Sequence, residues 1–313
     1  MPRTCVIVAA LLVIGLSPLD GQSLVSGAQR TPFRAGVDVI AMNVTVTDAA
    51  RHYVTDLDRQ DFQIFEDGRP QQVTFFRKSS LPLALSLLID TSASMEPNLG
   101  VAQAAAVGFV RALGPEDVAS VIDFDTRVQV LQDFTTDRSA LEHAIRKTAA
   151  GGSTALYNAV YIALRALNKT IGDERLEERR RRAIVILSDG EDTSSLLAFD
   201  EVLDLAVRSD TAIYAIGLLG PEIFATLVKQ PSDSRFVLRR LSEQTGGRVF
   251  FASDAKELNG VYSEIRAELG NQYFLAYEST NPRRDGQFRR ISVRVSRASV
   301  VARARPGYYA PSQ

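Results

Sequence analysis

The chain has 313 residues, 45% of them apolar, with 36 Lys and Arg against 37 Asp and Glu and a formal net charge of -1. This composition supports a substantial buried core and excludes the disordered class, and the balanced charge gives no electrostatic basis for binding nucleic acid or an anionic membrane surface. Cys5 is the only cysteine, and His52 and His143 are the only histidines. Internal disulfides and thiolate zinc sites are therefore excluded, and any metal must be held mainly by oxygen, as Mg²⁺, Mn²⁺ or Ca²⁺ are.

The first segment, 1–23, reads as a signal peptide. Arg3 precedes an apolar run over 5–16, which Ser17, Pro18, Asp20 and Gly21 break. That run fits the roughly 7–15 residues of a signal core and falls short of the ~20 that span a bilayer. Cleavage after Gly21, Ser23 or Ala28 is compatible with the residues. The expectation is an exported protein, periplasmic or extracellular, with no membrane span once the signal is removed.

Residues 33–80 read as strand. Val37, Val39, Met42, Val44 and Val46 nearly alternate, as in a half-buried strand. Phe62, Ile64 and Phe65 lead into Glu66-Asp67-Gly68, and Val73, Phe75 and Phe76 follow. Asp-Gly between two such runs predicts a hairpin, because both residues take positive φ cheaply.

Residues 81–270 alternate strands with helices. Continuous apolar runs at 83–89, 118–124, 128–131, 183–187, 212–216 and 249–251 read as buried strands. Stretches with helical apolar spacing include 101–113, 156–167, 202–207 and 258–269. The pattern predicts a doubly wound α/β fold, with a mainly parallel sheet covered on both faces. Four consecutive arginines at 179–182, after Glu174, Glu177 and Glu178, read as a solvated helix end or loop.

Residues 271–310 return to strands at 273–277, 290–295 and 300–305, punctuated by Asn281-Pro282 and Asp285-Gly286. Neither flanking segment has enough strands to bury a sheet face alone. They are expected to pair into one small β-domain, with the α/β unit inserted between them.

In an open parallel sheet, ligands sit beyond the carboxyl ends of the strands. Three polar loops fall there. The strand at 83–89 runs into Asp90-Thr91-Ser92-Ala93-Ser94, the pattern D-x-S-x-S; Gly151-Gly152-Ser153-Thr154 precedes the helix at 156; and the strand at 183–187 ends at Ser188-Asp189-Gly190. Each motif alone suits a structural role: serines at a helix start, an Asp-Gly turn, a threonine cap. Together, in this order at strand ends and helix starts, they converge on one edge of the sheet as a single polar site. Met95, Asn98, Glu191 and Asp192 are near enough to shape its rim, while Asp123 and Asp125 read as solvated loop acids.

Residues 81–269 resemble a von Willebrand factor A domain, and Asp90, Ser92, Ser94, Thr154 and Asp189 match its metal-ion-dependent adhesion site in order and context. The flanks resemble a secreted VWFA-related family of acidobacterial type, through the D-F-x-I-x-E-D-G stretch at 61–68 and R-x-G-Y-Y at 305–309. The resemblance implies that Ser92, Ser94 and Thr154 ligate the ion directly or nearly so, with Asp90 and Asp189 acting largely through water. Neutral hydroxyl ligands leave the ion electrophilic, so that it can capture a partner's carboxylate.

The function expected is thus a divalent-cation-dependent protein-binding or adhesion module, using Mg²⁺ (or Mn²⁺ or Ca²⁺). Its partner is an unknown protein presenting an acidic side chain, and self-association fits the same chemistry. The alternative is a structural or assembly protein whose ion serves stability only. Catalysis is not expected. Ser92 and Ser94 lack a G-x-S-x-G elbow, neither histidine sits in a strand-end loop of the α/β block, and no phosphate loop is present.

Overall fold

A computed structural model describes residues 38–312 apart from 79–80, 172–179, 190 and 219–232. The leader at 1–23, Arg179 and Gly190 lie outside the described residues.

The sheet is built around β5 (Leu83–Asp90), all eight of whose residues are buried. A strand covered on both faces needs apolar residues at every position, which is why this run shows no alternation. Leu85, Leu87 and Ile89 join one core cluster, and Ala84 and Leu88 join the other. Burying a side chain of this size contributes roughly 1.5–3 kcal/mol. The strands flanking β5 are β6 (Val118–Phe124) and β8 (Arg181–Ser188). Beyond them lie β7 (Val128–Thr135), β9 (Ala212–Leu218) and β10 (Val249–Ala252). The order is β10-β9-β8-β5-β6-β7, parallel throughout except for the antiparallel β6–β7 pair.

Helices cover both faces. On one side pack α1 (Leu99–Arg111), α2 (Arg138–Arg146) and α6 (Leu258–Gly270). On the other pack α3 (Leu156–Ile171), α4 (Phe199–Arg208) and α5 (Asp233–Gln244). This is the doubly wound α/β arrangement that the sequence predicts. Helix α2 begins at Asp137, whose side chain accepts from Ser139 N and Ala140 N.

The flanking segments form two further four-stranded sheets. One has the order β13-β1-β11-β4, from Val300–Arg303, Val39–Asp48, Gln272–Glu278 and Val73–Lys78. The other is β14-β12-β2-β3, from Gly307–Tyr309, Phe288–Val295, Phe62–Glu66 and Arg69–Gln71. Met42, Val44, Phe62, Ile64, Leu275 and Ile291 share one core between them. Asp67 and Gly68 both take positive φ, the geometry of a tight hairpin turn. That hairpin pairs β2 with the short β3, and 73–78 departs to the other sheet, where it pairs with β11. Val37–Gln313 forms one compact unit. Helix α6 runs directly into β11, so the chain passes from one architecture to the other with almost no linker.

The arginine run is not solvated at its end. Arg182 is buried, and Arg181 donates to Leu81 O and Leu269 O across the base of the sheet. A guanidinium satisfied by backbone carbonyls can be buried where a run of free charges cannot.

Candidate metal centre

Asp90 closes β5 at the carboxyl edge of the sheet and is fully buried. Its Oδ1 accepts from Ser92 N at 2.9 Å, folding the loop back on itself. Its Oδ2 accepts from Ser188 Oγ at 2.6 Å, tying β5 to β8. Burial pushes the Asp90 carboxyl up to about 6, against the hydroxyl and amide donors of Ser188 and Ser92, and the charge of Asp189 adds to the rise.

The next two serines continue the chain of contacts. Ser92 Oγ lies 3.1 Å from Ser94 Oγ, and Ser94 Oγ donates to Asp189 Oδ2 at 2.6 Å. Asp189 Oδ1 accepts from Glu191 N at 3.2 Å. Asp90, Ser92, Ser94 and Asp189 thus form one hydrogen-bonded string that spans the ends of two adjacent strands.

Thr154 is brought to the same edge by its backbone. Gly151 N donates to Thr91 O at 2.7 Å, and Ala93 N donates to Gly152 O at 3.1 Å. These bonds fasten the 151–154 loop to the 90–94 loop. Thr154 N donates to Thr193 Oγ1, and Thr154 O accepts from Thr193 N and Ser194 N. Thr154 is buried between the two neighbouring loops. Gly152 sits at φ +73, where a Cβ would come within 2.5 Å of Thr126 Oγ1, so this close approach needs glycine.

The sequence prediction names no role for Ser188 and gives Asp192 only a place at the rim, and both contribute more. Ser188 holds the buried Asp90 carboxylate. Asp192 Oδ1 accepts from Tyr157 N and Ser195 Oγ, and so buttresses the 191–195 loop against the start of α3. Asp123 is no solvated loop acid. Thr91 Oγ1 donates to it, and burial raises its pKa, with the charge of Asp125 adding to the effect. Met95 does not shape a rim, because it is buried in the core against α1. The short D-x-S-x-S spacing carries no sign of any of these, since each depends on a loop distant in sequence.

The groups that act most on Asp90 are hydroxyls, a backbone amide and another carboxylate, and among the described residues it has no ion pair. Among the described residues no three His, Cys, Asp or Glu gather in a metal-ligating cluster. The donors at this edge are instead two carboxylates and the hydroxyls between them. An anionic, hydroxyl-rich set without an internal counter-charge suits a hard, oxygen-seeking divalent cation.

Comparison with known proteins places the fold. The family model described as von Willebrand factor type A domain matches residues 85–191. A UPF0353 protein of Mycobacterium leprae is 27% identical over 206 residues, 59% of this chain and 59% of its own length. A UPF0353 protein of Mycobacterium marinum is 27% identical over 304 residues, covering 81% of this chain and 88% of that protein. The chain thus spans about three-fifths of the Mycobacterium leprae relative. A solved structure, von Willebrand factor type A from Catenulispora acidiphila, superposes with a TM-score of 0.51 at 13% identity, over 88% of this chain and 74% of that one. At that identity the likeness speaks to the fold alone. Among the described residues no helix is long and apolar enough to cross a membrane. The parallel sheet and its two helical layers have the fold of a von Willebrand factor type A domain, and residues 85–191 match that family's model.

Proposed function

We propose that this chain is an exported, non-catalytic binding protein that holds one divalent cation, of the Mg²⁺ type, at the carboxyl edge of its parallel sheet. Domains of this type typically mediate protein–protein interaction or adhesion. One observation carries the reading: Ser94 Oγ bridges to Asp189 Oδ2 at 2.6 Å, next to a buried Asp90 carboxylate that has no counter-cation among the described residues.

The ligands of this reading are Ser92, Ser94 and Thr154, with Asp90 and Asp189 supplying charge behind them. When bound, the ion supplies an electrophilic centre with a replaceable position for an external carboxylate. The residues around it set that reactivity. Hydroxyls donate electron density weakly, and Ser188 and the Ser92 amide hold Asp90 in place from behind. Ser94 is exposed, so the edge opens to solvent on the side where a partner would approach. The export signal at 1–23 and the pairing of the two flanks into one accessory β-domain belong to the same proposal.

The experiment is a pull-down from the exported fraction in Mg²⁺ and then in EDTA, with wild type and Thr154→Ala. Capture that requires Mg²⁺ and fails in Thr154→Ala supports the reading. If Mg²⁺ raises the melting temperature while no partner is retained, the ion serves stability alone. Full Mg²⁺-dependent capture by Thr154→Ala removes the site assignment.

A further inference from the structure

Away from the candidate metal centre, a cavity of about 260 Å³ opens where the flanking sheets meet the α/β part. Its walls include Thr47 of β1, Arg51 and Tyr53 from the turn after β1, Arg248 just before β10, Arg303 of β13, and the buried Glu268 of α6. Three guanidiniums therefore line a space small enough for a single compact anion.

The charges do not cancel. Glu268 is matched, since it accepts from Arg303 Nη2 and from the Tyr214 hydroxyl at 2.8 Å. Arg303 Nη1 is occupied by Gly246 O and Gly247 O. Arg248 Nη1 stands 3.3 Å from Glu264 Oε2, an exposed pair that solvent screens. Among the described residues the Arg51 side chain has no hydrogen bond or ion pair. One guanidinium is left in excess, and a second is held loosely.

Backbone geometry singles out the same residue. Arg51 sits at φ +66, in a turn closed by Arg51 N to Asp48 O and by His52 N to Asp48 Oδ1. Glycine, asparagine and aspartate are favoured at such a φ, and a long side chain with a Cβ is not. A disfavoured backbone position that carries an unpaired cation into a cavity is a reason to look for a ligand.

We propose that this cavity binds a small oxyanion of phosphate or dicarboxylate type. The Arg51 and Arg248 guanidiniums form the clamp, and the Thr47 and Tyr53 hydroxyls supply further donors. Planar guanidinium forks match the spacing of paired oxyanion oxygens. The volume lies below the roughly 300–1,000 Å³ of pockets for larger organic ligands, which favours a compact anion.

The test is isothermal titration calorimetry of the full chain with sodium phosphate and, separately, with sodium malonate. Both are run in EDTA, so that no metal-held anion contributes, and at an ionic strength fixed with sodium chloride. One saturable site is expected, and whichever anion binds more tightly identifies the source. Affinity should fall at least about tenfold in Arg51→Gly and in Arg248→Gln, the size expected for losing a charge-assisted bond. Glycine suits the turn, so Arg51→Gly should melt at or above the wild-type temperature, which separates lost binding from lost folding. No saturable heat with either anion, or unchanged affinity in both variants, overturns the site.

Discussion

Asp90 and Glu66 are both carboxylates buried to 2% exposure or less, in opposite surroundings. Glu66 lies in the core between the flanking sheets, with Arg289 Nη1 at 3.6 Å from its Oε1. The Tyr277 and Tyr308 hydroxyls donate to its Oε2 at 2.8 and 3.0 Å, and Ser279 Oγ donates to its Oε1 at 2.8 Å. Arg289 is itself satisfied by Ser279 Oγ, Asn281 O and Arg283 O. Burial, reinforced by the neighbouring carboxylate, keeps the Tyr277 hydroxyl protonated and donating. Asp90 has hydroxyl and amide donors but, among the described residues, no cation, and a second carboxylate stands near it. One site is complete within the chain. The other is arranged as though its positive charge comes from outside, and that contrast is the physical basis for placing an ion at the sheet edge.

The contrast breaks first at Arg289. Removing the cation from a completed buried pair strands Glu66, so Arg289→Ala should lower unfolding free energy by about 3–5 kcal/mol in urea denaturation. A loss below about 1 kcal/mol would mean that hydroxyl donors alone suffice for a buried carboxylate, and the argument from Asp90 would lose its force. Tyr277→Phe removes one charge-assisted bond while Tyr308 remains, and thermal denaturation should register about 2 kcal/mol.

At the sheet edge, Gly152→Ala sharpens the comparison. Left-handed backbone at an alanine costs about 1–2 kcal/mol. The new methyl would also push on Thr126 Oγ1 and the neighbouring Asp125 carboxylate. Since this loop carries Thr154, divalent-ion affinity should fall more steeply than stability does. The smallest effect is expected for Asp90→Asn in EDTA, where scanning fluorimetry should find the midpoint unchanged or raised, because the charge removed has no cationic partner among the described residues. A fall as large as that of Arg289→Ala would show that Asp90 is already compensated.

The central sheet was legible because a strand buried on both faces leaves an unbroken apolar run, as 83–89 does. The candidate site was legible for a related reason: hydroxyls and acids directly after such runs have few structural uses in combination. Helix α2 escaped the reading, although Asp137 as a cap and Leu141 with Ile145 on one face mark it. Helix α5 is obscured by Arg235, Arg239 and Arg240, interleaved with its buried Val237, Leu238 and Leu241. Glu66 looked like part of a turn because its partner Tyr277 lies 211 residues away. Arg181 and Arg182 looked solvated because a run of charges gives no sign of the carbonyls that receive them. Long-range polar pairing leaves no local pattern, whereas periodicity and strand-end chemistry do.

The central claim is tested most directly by titrating Mn²⁺ into the chain and following free ion by electron paramagnetic resonance, for wild type, Ser94→Ala and Asp189→Asn. The account predicts one saturable site in wild type, displaced by Mg²⁺ and lost or strongly weakened in both variants. No saturable uptake by wild type, or uptake that both variants retain in full, would contradict it.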